Sequence, residues 1–131
     1  MRFTEHELTA ALHGAGKSIL ATQDKDVRKG RRTVDQAWQE MDRYQRFKLL
    51  DGLGGHLLPV LVGLPDVAVA TGERPTFTDD QVRAAVEEQL GDQKGIRRRA
   101  LLEARVALVR IALASVPPRQ DPDALVVPDH L

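Results

Sequence analysis

Apolar residues recur at intervals of three and four along most of the chain, a spacing that predicts amphipathic helices. The first helix is expected to begin at Thr4, because Thr4 and Glu7 have the spacing of a capping box, and its apolar positions continue to Ile19. A second helix is expected to begin at Thr33 and to end in the glycine-rich run at residues 51–55. Trp38 and Met41 lie on its apolar side, so we expect both to be buried against the first or the last helix.

Two further helices are predicted in the second half of the chain. One is expected to begin at Thr78 and to end at Gly91, where glycine suits a helix terminus. The other is expected to span roughly Ile96 to Ser115 and to stop before the proline pair that follows.

The region between residues 56 and 77 has a less regular pattern. Residues 56–64 fit a helix or a strand, and a short buried helix is favoured because Pro59 does not fit a central strand. Alternating residues followed by turn residues predict at most one small β-hairpin near residues 67–77. The expected fold class is therefore all-α, a bundle of four to five helices. Residues 1–118 are expected to form a single helical domain, and residues 119–131 an extended tail containing proline and aspartate.

The last predicted helix has two apolar sides. Such a helix is either central in its own bundle or shared with a second molecule. We interpret the second side, which repeats at coiled-coil spacing, as a dimer interface, with coverage by another helix of the same chain as the alternative. The residues of this expected interface are Leu102, Val106, Val109 and Leu113.

Composition excludes several classes of protein. The 19 basic and 19 acidic residues balance, which argues against a surface that attracts nucleic acid as a whole. The absence of cysteine excludes disulfide and thiolate chemistry and favours a cytoplasmic location. No apolar run approaches the ~20 residues of a membrane span, so no membrane association is expected.

Two short patterns resemble catalytic motifs without satisfying them. Residues 11–18 fit a loose phosphate-binding loop, but they continue a capped amphipathic helix instead of following a strand. Residues 6–10 begin like a zinc-binding HExxH motif, but Ala10 replaces the second histidine. His56 is the histidine we most expect to be enclosed. No catalytic residue, cofactor or metal site is predicted.

Two basic clusters lie near the N-terminal ends of helices, where the helix dipole disfavours positive charge. An anionic partner would explain this placement, although a solvated loop and a salt-bridged helix start are the favoured interpretation. The clusters consist of Arg28, Lys29, Arg31 and Arg32, and of Arg97, Arg98 and Arg99.

These observations predict a small non-enzymatic protein–protein interaction module whose partner is a second copy of itself. The alternative is a small DNA-binding regulator that uses basic segment 28–32 or 97–99. Nucleic acid binding is the less favoured of the two, because the overall charge is neutral and no aromatic residue is interleaved with either segment.

Overall fold

The computed structural model describes residues 1–91 and 95–120, which form six α-helices and no strand. The all-α prediction is confirmed, but the helices number six instead of four to five. Most of the predicted tail, residues 119–131, lies outside the described residues. The helices are α1 (Glu5–Gln23), α2 (Lys25–Arg28), α3 (Val34–Glu40), α4 (Arg43–Gly63), α5 (Asp79–Leu90) and α6 (Ile96–Ala114).

Three helices begin with the same local structure. Thr4, Thr33 and Thr78 are the N-caps of α1, α3 and α5, and each hydroxyl accepts the amide of the residue three positions later. The side chain of that residue accepts the threonine amide in return, which completes a capping box. Each capping box needs only residues three positions apart, and the three helices begin at the threonines that the sequence predicted.

The predicted second helix is divided differently from our expectation. It breaks at Met41 and Asp42, and α4 then continues through the glycine-rich run and Pro59 without a stop. Each glycine costs about 1 kcal/mol in a helix interior. Pro59 costs about 3 kcal/mol more. Burial contributes roughly 1.5–3 kcal/mol for each side chain, and four apolar side chains of this stretch are buried, namely Leu53, Leu57, Val60 and Leu61. These four contributions together outweigh the poor helix propensity, and residues 56–63 belong to α4 instead of forming a separate short helix.

The hairpin predicted near residues 67–77 is absent from the structure. Two of its backbone groups pair with Arg119 instead. The Gly72 amide donates to the Arg119 carbonyl at 2.7 Å, and the Arg119 amide donates to the Glu73 carbonyl at 2.8 Å. Val67 and Val69 pack against the core from this loop.

The core lies between α1, α4, α5 and α6. It includes Ala11 on α1, Leu61 on α4, Val86 on α5 and Val109 on α6, all fully buried. Helix α3 covers α1 through Trp38, because a Cβ atom added at Gly16 would lie 2.9 Å from the Trp38 ring. Trp38 is thus buried against the first helix as predicted, whereas Met41 is only half-buried.

Candidate interaction surface

The second apolar side of α6, where we expected a dimer interface, faces the interior of the domain. Leu102, Val106 and Val109 are buried in the core, and Leu113 packs against it from a half-buried position. Helices α1 and α5 of the same chain pack on α6. The structure therefore favours the alternative of coverage within the chain, and we place the candidate interface elsewhere.

Three of the five large apolar side chains that are exposed in the described residues lie on α4. Tyr44, Phe47 and Val62 are 65%, 62% and 61% exposed, and Leu58 between them is half-buried. At 100° per residue these four side chains fall within about 60° of one another around the helix axis. They lie on one side of the helix, with the exposed Asp51 and Gly55 between Phe47 and Leu58, and we call this side the α4 face.

A shallow groove of about 870 Å³ runs along the α4 face. Gly54 and Gly55 lie in the middle of its lining, and a Cβ atom added at Gly55 would meet nothing within 4 Å. The one charged residue of the lining is Asp51. Apart from Leu12 of α1, the groove is built from α4, by Phe47, Leu50, Asp51, Gly54, Gly55, Leu58, Pro59 and Val62.

The α4 face was not predicted from the sequence, because a helix end was expected in the glycine-rich run at residues 51–55. The signal that could have found the face is the run of apolar residues between Leu57 and Val62. A helix that is apolar on all sides over this stretch cannot direct every side chain into one core. Leu57, Val60 and Leu61 do face the core, which leaves Leu58 and Val62 on the other side.

The first basic cluster is partly neutralised within the chain. The Arg32 guanidinium pairs with Asp24 and Glu40, and Arg31 lies 3.6 Å from Asp26. The hydrogen bond from Arg32 is the main cause of the lowered pKa of Asp24. Arg28 and Lys29 are exposed at the end of α2. These contacts support the salt-bridged interpretation of this segment.

The second basic cluster occupies the first turn of α6. Arg97 and Arg99 are exposed, and Arg98 is half-buried. The structure therefore leaves these arginines on the surface, at a helix start whose N-cap, Gly95, provides no side-chain hydrogen bond.

The sequence patterns that resembled catalytic motifs form ordinary helix. Lys17 lies inside the uninterrupted α1, and its ammonium lies 3.0 Å from the Asp35 carboxylate. Across residues 1–91 and 95–120 no group of three or more acidic, histidine or cysteine residues is arranged to hold a metal ion. His56 is exposed, 3.0 Å from an Arg105 nitrogen, so the prediction that it is enclosed is wrong.

A cluster around Trp38 stabilises the junction between α3 and α4. The Arg46 guanidinium lies 5.6 Å from the Trp38 ring centre and donates to the carbonyls of Gln39 and Met41. The centres of the His13 and Trp38 rings lie 5.6 Å apart. The pKa of His13 is lowered, and burial of its imidazole is the main cause. Because Arg46 satisfies carbonyls at the C-terminal end of α3, a structural role accounts for its position.

Comparison with protein families, with characterised proteins and with solved structures found no match. Among the helices of the described residues, none combines the length and the apolar character needed to cross a membrane.

Proposed function

We propose that this protein is an interaction module that forms a homodimer through the α4 face. The observation that carries the proposal is the exposure of Tyr44, Phe47 and Val62 on one side of a single helix. Contiguous exposed apolar surface, unlike scattered single residues, marks interaction sites in soluble domains. Full burial of one such side chain contributes roughly 1.5–3 kcal/mol, so covering the α4 face is a substantial driving force.

The shape of the α4 face favours a second copy as the partner. A two-fold interface uses the same surface on both molecules, so that surface must contain both a projection and a matching depression. Phe47 projects from α4, and the depression at Gly54 and Gly55 begins seven residues later, about 11 Å along the helix. Two antiparallel α4 helices can therefore place each Phe47 over the glycines of the other copy.

The charges near the α4 face are compatible with this pairing. Lys48 and Asp51 are both exposed and lie three positions apart, near the point about which the two helices would cross. An antiparallel arrangement brings the two Asp51 side chains together at the crossing point, and each Lys48 lies within reach of Asp51 of the other copy and offsets their repulsion. The chain as a whole has no net charge, so two copies experience little long-range repulsion.

Charge placed on the α4 face tests the proposal. The double variant Tyr44→Asp, Phe47→Asp should be folded, because both side chains are largely exposed, and should sediment as a monomer. The unmodified chain should dimerise with increasing concentration. Circular dichroism checks the fold, and light scattering with sedimentation measures the mass.

A matched control separates the α4 face from general surface hydrophobicity. Ile96 is 92% exposed and does not line the groove, so Ile96→Asp should dimerise like the unmodified chain. A wild-type chain that stays monomeric at millimolar concentration contradicts the proposal. So does a dimer that survives the double substitution.

A further inference from the structure

We infer that acid releases α3 from the surface of the domain: protonation of the His13 imidazole drives the Trp38 ring away from α1, and α3 detaches while the core stays folded. The release does not depend on the dimer proposed above. Three features of the molecule point to it: the way α3 is held, the charges around His13, and the surface that Trp38 covers.

Helix α3 is held outside the main core. It has 7 residues, of which Ala37 and Trp38 are buried. In the part of the chain that the structure describes, the core cluster includes residues of α1, α4, α5 and α6 but none of α3. Polar contacts add to the attachment: the Lys17 ammonium pairs with Asp35, and Arg46 donates to two carbonyls at the end of α3. A short element held in this way can open locally without global unfolding.

His13 lies beside the Trp38 ring and among positive charges. The centres of the two rings are 5.6 Å apart, and the ring planes are inclined by 54°. The charged groups that act on the imidazole are Lys17, one turn later on α1, and Arg46 on α4. Arg46 also lies over the Trp38 ring, and Asp35 on the α3 side faces Lys17 at 3.0 Å. A protonated His13 is therefore a third cation in this cluster, and it repels the arginine that holds the end of α3.

These surroundings favour the neutral imidazole while α3 is bound. Burial lowers the pKa of His13, and the charges of Lys17 and Arg46 lower it further. Release of α3 uncovers the ring, so its pKa rises towards the ordinary value of about 6.5. The released state binds the proton more tightly, and falling pH favours it from about pH 6.5 downwards. Each pH unit between the two pKa values raises the released population by up to about tenfold.

The Trp38 ring covers apolar surface that adjoins the groove of the α4 face. A Cβ atom added at Gly16 would lie 2.9 Å and 3.1 Å from two atoms of the Trp38 ring and 3.5 Å from the Leu50 side chain. Leu50 lines the groove. Release of Trp38 therefore uncovers α1 next to Leu50 and extends the apolar surface at this edge of the groove. In this way the pH controls how much apolar surface this part of the molecule exposes.

The fluorescence of Trp38 tests the release in the full chain, which contains 1 tryptophan. Between about pH 7.5 and pH 5.5 its emission maximum should move to longer wavelength. Far-UV circular dichroism should change only slightly, because α3 has 7 residues. His13→Phe keeps a ring beside Trp38 but cannot be protonated, so its emission maximum should not move. His56→Gln, at an exposed histidine, is the matched control and should behave like the unmodified chain.

Each of three results of this titration overturns the inference. A shift that persists in His13→Phe assigns the transition to other groups. A loss of the far-UV signal in parallel with the shift shows that the whole domain unfolds. A fall in intensity at constant wavelength shows that the protonated imidazole quenches Trp38 while the ring stays in place.

Proton NMR of the unmodified chain gives a test that does not depend on a variant of His13. The C2 proton of the His13 ring and the indole N–H proton of Trp38 should titrate with the same midpoint, below about pH 6.5. A His13 midpoint above that value, or midpoints more than about one pH unit apart, contradicts a release driven by His13.

The variant Tyr44→Asp, Phe47→Asp separates release from dimerisation. Its emission maximum should move with pH as in the unmodified chain, because release does not require a second copy. A shift that occurs only in the unmodified chain attributes the movement of Trp38 to dimerisation and overturns the inference. An unmodified chain that sediments as a monomer at every concentration and still shows the shift supports the release and contradicts the proposed dimer.

Discussion

The carboxylate of Glu7 and the guanidinium of Arg119 lie 2.9 Å apart at their closest atoms, although 112 positions separate the two residues. Glu7 is 3% exposed and also accepts the Thr4 amide in the capping box of α1. Arg119 pairs through its backbone with Gly72 and Glu73. Arg119 therefore joins the end of the described chain to the start of α1 through its side chain and to the loop before α5 through its backbone.

Removal of the arginine should destabilise the domain. Arg119→Leu leaves the Glu7 carboxylate buried without its charged partner, and we expect the free energy of unfolding to fall by about 2–4 kcal/mol. Urea unfolding followed by circular dichroism measures the loss. Arg74→Leu, at an exposed position of the same loop region, is the control and should change the stability by less than about 0.5 kcal/mol. Equal losses in both variants would show that the ion pair is unimportant.

The same pair predicts a pH dependence. Burial alone would raise the pKa of Glu7, but hydrogen bonds from Thr4 and Arg119 outweigh it, so the pKa lies below the ordinary value. A carboxyl whose pKa is lower in the folded state contributes stability above its unfolded pKa, and this contribution is lost as the pH falls through the folded pKa. Glu7→Gln should therefore have a lower Tm than wild type at pH 7, and the gap should narrow below about pH 4. A constant gap from pH 7 to pH 2.5 would exclude this mechanism.

Two glycine substitutions should have opposite effects. A Cβ atom at Gly16 would lie 2.9 Å and 3.1 Å from two atoms of the Trp38 ring, so Gly16→Ala should force α3 away from α1 and cost about 1–3 kcal/mol. Gly52 lies inside α4, and a Cβ atom there would meet nothing within 4 Å. Gly52→Ala should therefore stabilise the domain by about 0.5–1 kcal/mol. Thermal unfolding should show a lower Tm for Gly16→Ala and a higher Tm for Gly52→Ala. Trp38 fluorescence should shift to longer wavelength in Gly16→Ala alone.

Charge on the two sides of α6 should distinguish the core from the surface. Val106→Glu with Val109→Glu places two carboxylates among fully packed side chains, and we expect the domain to unfold. Ala104→Glu with Ala107→Glu adds the same charges to the same helix at exposed positions and should leave the domain folded. Circular dichroism and sedimentation compare the two proteins. If the Val106→Glu, Val109→Glu variant is instead a folded monomer, the dimer interface lies on α6.

The sequence by itself determined the features that depend on neighbouring residues. The capping boxes at Thr4, Thr33 and Thr78 need partners only three positions away, so the spacing of residue types was sufficient to locate three helix starts. The last helix was predicted at Ile96 to Ser115 and is observed at Ile96–Ala114. Its apolar positions and the following prolines are both local signals.

Only the tertiary structure decided which apolar sides are covered. Both sides of α6 are apolar, and the pattern does not say which one meets α1 and α5; packing buries Val106 and Val109 and leaves Ala104 and Ala107 outside. The glycine-rich run was read as a helix stop, but burial of Leu57 and Leu61 across it keeps α4 continuous. The α4 face exists because this one continuous helix buries Leu57 and Leu61 and leaves its opposite side exposed. Burial depends on contacts between residues far apart in the chain, and such contacts leave no periodic signal at the residues that remain exposed.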